Sequence, residues 1–117
     1  MLDQLPMSDR ALEMIAHRFK LLSEPTRLRL LQLLLGGEKN VNELVEYIGT
    51  TQANISKHLG ILCNGGLIVR RRAGTNTYYN IADDSLVQLC DIVCISLQIR
   101  GSADLEDLHT SDQETKE

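Results

Sequence analysis

The stretch Thr51-Gln52-Ala53-Asn54-Ile55-Ser56-Lys57-His58-Leu59-Gly60-Ile61-Leu62-Cys63-Asn64-Gly65-Gly66-Leu67-Ile68-Val69 holds two hydrophobic periods with one break between them. Ile55, Leu59 and Leu62 recur at helical steps, Thr51 is suited to cap the helix, and Asn64-Gly65-Gly66 ends it. After Gly66 the period drops to two. Residues 67–71 predict a strand, Ala73-Gly74-Thr75-Asn76 a turn, and residues 77–81 a second strand. A helix that runs directly into a β-hairpin is the feature that decides the fold class.

Upstream, Asn40-Val41-Asn42-Glu43 opens a short helix with Val41, Leu44, Val45 and Ile48 inward, ending at Gly49. Thr50-Thr51 restarts the chain at once, so two helices meet across about three residues, the spacing of a helix-turn-helix. Before that, Ser23 is suited to cap a helix with Pro25 in its first turn. Leu28, Leu30, Leu31 and Leu34 line that helix, and Gly36-Gly37 stops it. The first helix starts at Ser8, carries Leu12, Ile15, Ala16, Phe19 and Leu22, and ends near Leu22, ahead of Pro25. Downstream, Asp83 or Asp84 caps a last helix reaching to about residue 99. Leu86, Val87, Leu89, Cys90, Ile92, Val93, Cys94, Ile95, Leu97 and Ile99 make it apolar nearly all round. Such a helix must be covered by its own domain on one side and a second subunit on the other. The expected class is mainly α with a β-hairpin wing (α+β), a winged helix-turn-helix that dimerises through its first and last helices. Residues 1–7 are expected to be a loose leader, residues 8–99 the folded domain, and residues 100–117 a disordered acidic tail.

Composition sets the outer limits. The chain has 117 residues, 43% hydrophobic and 24% charged, which excludes a disordered or fibrous protein and suits one domain. Aromatics are 3%, so Leu and Ile must supply the core. No run of apolar residues is long enough to span a membrane, and the N-terminus lacks the basic-then-apolar order of an export signal. The expected location is the cytoplasm. Three cysteines without an export signal predict thiols rather than a disulfide framework. No nucleophile-base spacing, phosphate loop or acid pair points to an enzyme.

The net charge of −4 is carried by the tail, where six acids from Asp104 to Glu117 face Arg100 and Lys116. Between Thr51 and Ala82 there is no acid, against Lys57, Arg70, Arg71 and Arg72. A polyanion could sit there. The major groove of DNA admits one helix, and the N-terminal half of a recognition helix reads base edges. Here that half offers Thr51, Gln52, Asn54, Ser56, Lys57 and, on the Leu59 side, His58, for which packing is the competing role. Gln and Asn can pair with adenine, and Lys with guanine or phosphate. Alternation along the strand lets at most two of the three arginines face one way. Arg72, with Arg71 and the turn at Gly74-Thr75, is the expected phosphate or minor-groove contact. The competing class is a winged-helix protein-interaction module that binds no DNA.

Leu22-Ser23-Glu24-Pro25-Thr26-Arg27-Leu28-Arg29-Leu30-Leu31, Thr51–Leu59 and Gly66-Leu67-Ile68 together resemble the ArsR/SmtB family of bacterial transcriptional repressors over about residues 10–99. The resemblance implies a homodimer on an inverted-repeat operator, released by a metal, metalloid or thiol-reactive signal. Metal-sensing members carry paired thiols where this chain has Asn40-Val41-Asn42-Glu43-Leu44, and amides are poor ligands for soft metals. Their second site maps onto Asp83, Ser85, Ser96 and Ile99, of which only the Asp is a ligand. His17 and His109 are isolated, so no metal site is expected from these positions. Cys90 and Cys94 remain, four residues apart on one helix face, with Cys63 at the end of the recognition helix. They could hold a thiophilic ion or metalloid, or react with an oxidant. They could equally be small core residues of the stripe Leu86, Cys90, Val93, Cys94 and Leu97, in a repressor without cysteine sensing.

Overall fold

A computed structural model describes residues 7–101 of the chain. In order it forms α1 (Asp9–Leu21), α2 (Pro25–Leu35), β1 (Lys39–Asn40), α3 (Val41–Ile48), α4 (Gln52–Asn64), β2 (Ile68–Ala73), β3 (Asn76–Ile81) and α5 (Ser85–Ile99). The expected leader and acidic tail lie almost entirely outside the described residues. Two compact units follow each other along the chain, Met1–Ala82 and Asp83–Glu117.

In the first unit, local chemistry sets most element ends. Ser8 accepts the Ala11 amide and starts α1. Asn40 and Glu43 form a reciprocal capping box on α3, with bonds of 2.8 and 2.9 Å. Gly49 ends α3 at φ +80°, a left-handed conformation that a β-carbon would strain. Gly49, Thr50 and Thr51 then separate α3 from α4, and Thr51 accepts the Asn54 amide at 3.1 Å. The start of α2 differs from expectation. Its N-cap is Glu24, and the Ser23 hydroxyl instead donates to the Lys20 carbonyl at 2.7 Å, at the end of α1.

The hairpin is longer than its pattern suggested, because Arg72, Ala73 and Asn76 pair across a two-residue turn, Gly74-Thr75. β1 was not foreseen. It pairs Lys39 with Tyr79 and Asn40 with Tyr78, giving an antiparallel sheet in the order β1-β3-β2. Two residues are too short a run to show any period.

Leu30, Leu44, Ile55, Leu59, Leu62, Leu67 and Ile68 are fully buried and form the core, with Leu21, Leu31 and Leu34. The apolar stripe of α1, the helix expected to help form a dimer, lies on the surface. Leu12 is 50% exposed, Phe19 52% and Ile15 36%, while Leu21 is the buried residue of that helix.

The second unit contains α5. Asp83 Oδ1 accepts the Ser85 amide at 2.9 Å, and Asp84 occupies the N-cap without a side-chain bond. No residue of α5 is buried, and Ile92, Val93, Ile95, Leu97 and Ile99 are exposed. Among the described residues no helix is long and apolar enough to cross a membrane.

Candidate nucleic-acid interface

Burial divides the face of α4. Gln52, Ser56 and Lys57 are exposed, whereas Ile55, Leu59 and Leu62 enter the core. Asn54 is half-buried, and its amide donates to the Thr50 hydroxyl at 3.3 Å, so it is partly committed to the inter-helix turn. Thr51 is exposed, with its hydroxyl oxygen engaged in the cap.

His58 is corrected from a surface contact to an interior one. It is 5% exposed, and its Nδ1 lies 3.1 Å from Arg27 Nη1. The reason is position: His58 precedes Leu59 and falls on the same inward side of α4 as Ile55 and Leu62. Arg27 itself carried no signal of burial in the sequence. Its partners are the Leu21 and Lys20 carbonyls and His58, which only the fold assembles around it.

The wing separates its three arginines. Paired residues of antiparallel strands share a face, so Arg70 and Arg72 lie with Tyr79 and Thr77 on the side of buried Ile68. Arg71 lies with Tyr78 on the other side. There it makes a two-pronged bond to Glu38, at 2.9 and 2.7 Å, and its guanidinium stands 5.0 Å over the Tyr78 ring. Asn80 donates to the same carboxylate at 3.0 Å. The Arg71 hydrogen bond, aided by its charge and by Asn80, holds the Glu38 carboxyl below its ordinary value. The acid-free stretch therefore acquires an acid from outside itself, and Arg71 is paired with it within the chain. The Cys63 side chain, at the end of α4, holds the Arg70 guanidinium above its ordinary value. Arg72 and Thr75 are exposed near the tip of the wing.

Cys63, Cys90 and Cys94 are half-buried, and none is in a disulfide. Burial, and then the charge of Asp91, push the Cys90 thiol up, which favours its protonated form. Among the described residues no group of three or more His, Cys, Asp or Glu could hold a metal ion.

A helix-turn-helix followed by a wing defines a fold, and comparison with known proteins gives the family. Residues 24–69 match the family model described as bacterial regulatory protein, arsR family. The HTH-type transcriptional regulator NmtR of Mycobacterium tuberculosis is 36% identical over 86 residues, covering 74% of this chain and 72% of that protein. The chain belongs to the arsR family. A probable mercury resistance operon repressor of Streptomyces lividans is 39% identical over 74 residues, 63% of this chain but only 59% of the repressor's length. The solution structure of the homodimeric winged helix-turn-helix DNA-binding domain Mb0332 from Mycobacterium bovis superposes with a TM-score of 0.66. It is 33% identical and covers 81% of this chain and 91% of that one. This arsR-family chain is therefore a winged helix-turn-helix transcriptional regulator, in a family of regulators rather than enzymes.

Proposed function

We propose that the chain is a cytoplasmic, homodimeric repressor that binds an inverted-repeat DNA operator. One observation carries the reading. The exposed edge of α4, with Gln52, Ser56 and Lys57, adjoins a wing whose Arg72 has no acid in the whole stretch from Thr51 to Ala82. Gln52 and Asn54 read base edges, Lys57 and Ser56 take guanine or phosphate, and Arg72 with Thr75 meets the backbone beside the groove. Thr51 positions the helix start rather than reading sequence. The test is selection of duplexes from a random pool, followed by affinity measured against salt. Affinity that falls steeply with salt on all DNA, with a sequence-dependent part on the selected duplex, is the expected result. A protein that enriches no duplex is not a DNA-binding regulator.

A second reading concerns the signal. Cys90 and Cys94 stand four residues apart on a helix with no buried residue, and a relative is named for mercury resistance. Two sulfurs on one face suit a thiophilic ion or metalloid. Within one chain the described residues do not complete such a site. A second copy of α5 would have to bring the remaining thiols.

A further inference from the structure

Arg27 is 7% exposed and uses three of its nitrogens inside the protein. Nε donates to the Leu21 carbonyl at 2.7 Å and Nη2 to the Lys20 carbonyl at 3.0 Å, both in the last turn of α1. Nη1 stands 3.1 Å from His58 Nδ1, in the middle of α4. A guanidinium has only donors, so Nδ1 must accept, and the proton of the neutral ring sits on Nε2. Two further contacts tie the same ends together. Arg18 Nη1 donates to the Gly65 carbonyl at 2.6 Å, and a β-carbon on Gly65 would stand 2.5 Å from Leu21 Cδ1. The end of α1 and the reading helix are thus joined by a small set of directed bonds, of which one depends on a proton.

We infer that Arg27 and His58 form a proton-gated strut that sets α4 against the last turn of α1 and so governs operator binding. With His58 neutral the strut is closed. With His58 protonated, Nδ1 carries a hydrogen aimed at a donor, and two cations face each other in a buried place. The charged groups around the ring act together. Burial contributes most, Arg27 from α2 and Lys57 from α4 add to it, and Glu24 at the cap of α2 opposes them, with the net effect of holding His58 below its ordinary 6.5. The strut is closed at neutral pH and opens in acid. Arg27 is a positioning residue, since it acts on DNA only through α4. The inference rests on the DNA-binding reading above.

The experiment measures affinity for a duplex selected by the wild-type protein and for a random-sequence duplex, from about pH 8 to about pH 5.5, spanning the ordinary histidine range. His58→Asn keeps an acceptor near the place of Nδ1 but does not titrate. The expected result is a loss of about tenfold or more in selected-duplex affinity for wild type in acid, as for an interaction of about 1.4 kcal/mol. Random-duplex affinity changes less, and His58→Asn shows no such loss. Arg27→Met should lose selected-duplex affinity at every pH, with Arg27→Lys between it and wild type. Amide exchange of residues 52–64 without DNA is the second measurement. Measured against the intrinsic exchange rate at each pH, their protection should fall in acid in wild type and not in His58→Asn, so the strut remains testable if Arg27→Met fails to fold. An acid profile shared by wild type and His58→Asn overturns the strut. A wild type that selects no duplex at any pH overturns the DNA-binding reading instead, and the exchange measurement then decides the strut alone.

Discussion

Arg71 and Arg72 are neighbours in sequence with opposite surroundings, and that difference makes a prediction. Arg72→Ala should weaken binding to every duplex and lower the salt slope by about 1, as loss of one phosphate contact does. Arg71→Ala should lower the slope by less, because Glu38 already neutralises it. Equal slopes for the two variants would put the wing arginines on the same footing. Gln52→Ala should cost about 1–3 kcal/mol on the selected duplex and little on random DNA. Alternation along β2 was legible from the sequence, but not which face was free, because Glu38 arrives from 33 positions away. Arg27 was hidden for the same reason, since it looks like a surface cation until its partners are in place, whereas packing was already the competing role for His58. Both Glu38 and His58 have folded pKa values below the ordinary ones, so the sign of their linkage is the same. Each contributes stability above its ordinary value and loses it as pH falls through the folded one. For His58 the loss starts below 6.5 and for Glu38 below 4.5. The thermal midpoint should therefore fall on acidification, with the upper part of that fall absent in His58→Asn. A midpoint that rises on acidification contradicts both assignments.

Elements were legible where their ends are local chemistry. Asn40 with Glu43, Thr51 with Asn54, and Gly49 each announce a boundary within four residues, and α3 begins and ends, and α4 begins, where those signals stand. Asn40→Ala should cost about 1 kcal/mol in denaturant unfolding through loss of the α3 cap. The closeness of α1 to α4 was not legible, because it depends on Gly65 lying against Leu21. Gly65→Ala should destabilise by about 1–3 kcal/mol, since the buried Leu21 side chain must shift within the core to admit the methyl group. A neutral Gly65→Ala would mean that the two helix ends do not meet so tightly. The α1 stripe shows the limit of periodicity. A run of Leu12, Ile15 and Phe19 at helical steps identifies an apolar face, but not whether the same chain or another one covers it.

At the scale of the whole molecule, the exposed apolar faces of α1 and α5 each imply an association. Leu12, Met14 and Phe19 on α1, and Ile92, Val93, Ile95 and Ile99 on α5, are each at least half exposed. Water contact over so much apolar surface is costly, at about 25 cal/mol for each Å² left uncovered. A homodimer is the expected state, as in the Mycobacterium bovis relative described as homodimeric. Sedimentation at micromolar concentration should give twice the 13.1 kDa chain mass, and a 13.1 kDa species alone would refute the dimer. A twofold dimer should place its two reading helices about 34 Å apart, one turn of DNA, on an inverted repeat. The same geometry decides the thiols. Joined α5 helices would bring two copies of Cys90 and Cys94 to one seam, and a rotation there would move both reading helices against the grooves. Such a switch needs a ligand that favours the released state by several kcal/mol. The raised Cys90 thiol means that an ion must displace a proton to bind, so release should be weaker at lower pH. The decisive measurement titrates DNA-bound wild type and the Cys90→Ser, Cys94→Ser double variant with arsenite, mercuric ion or zinc. Release of wild type with retention of the variant is expected. If no thiol-directed agent releases wild type, and the double variant only lowers the thermal midpoint, the two cysteines are packing residues and the signal enters elsewhere.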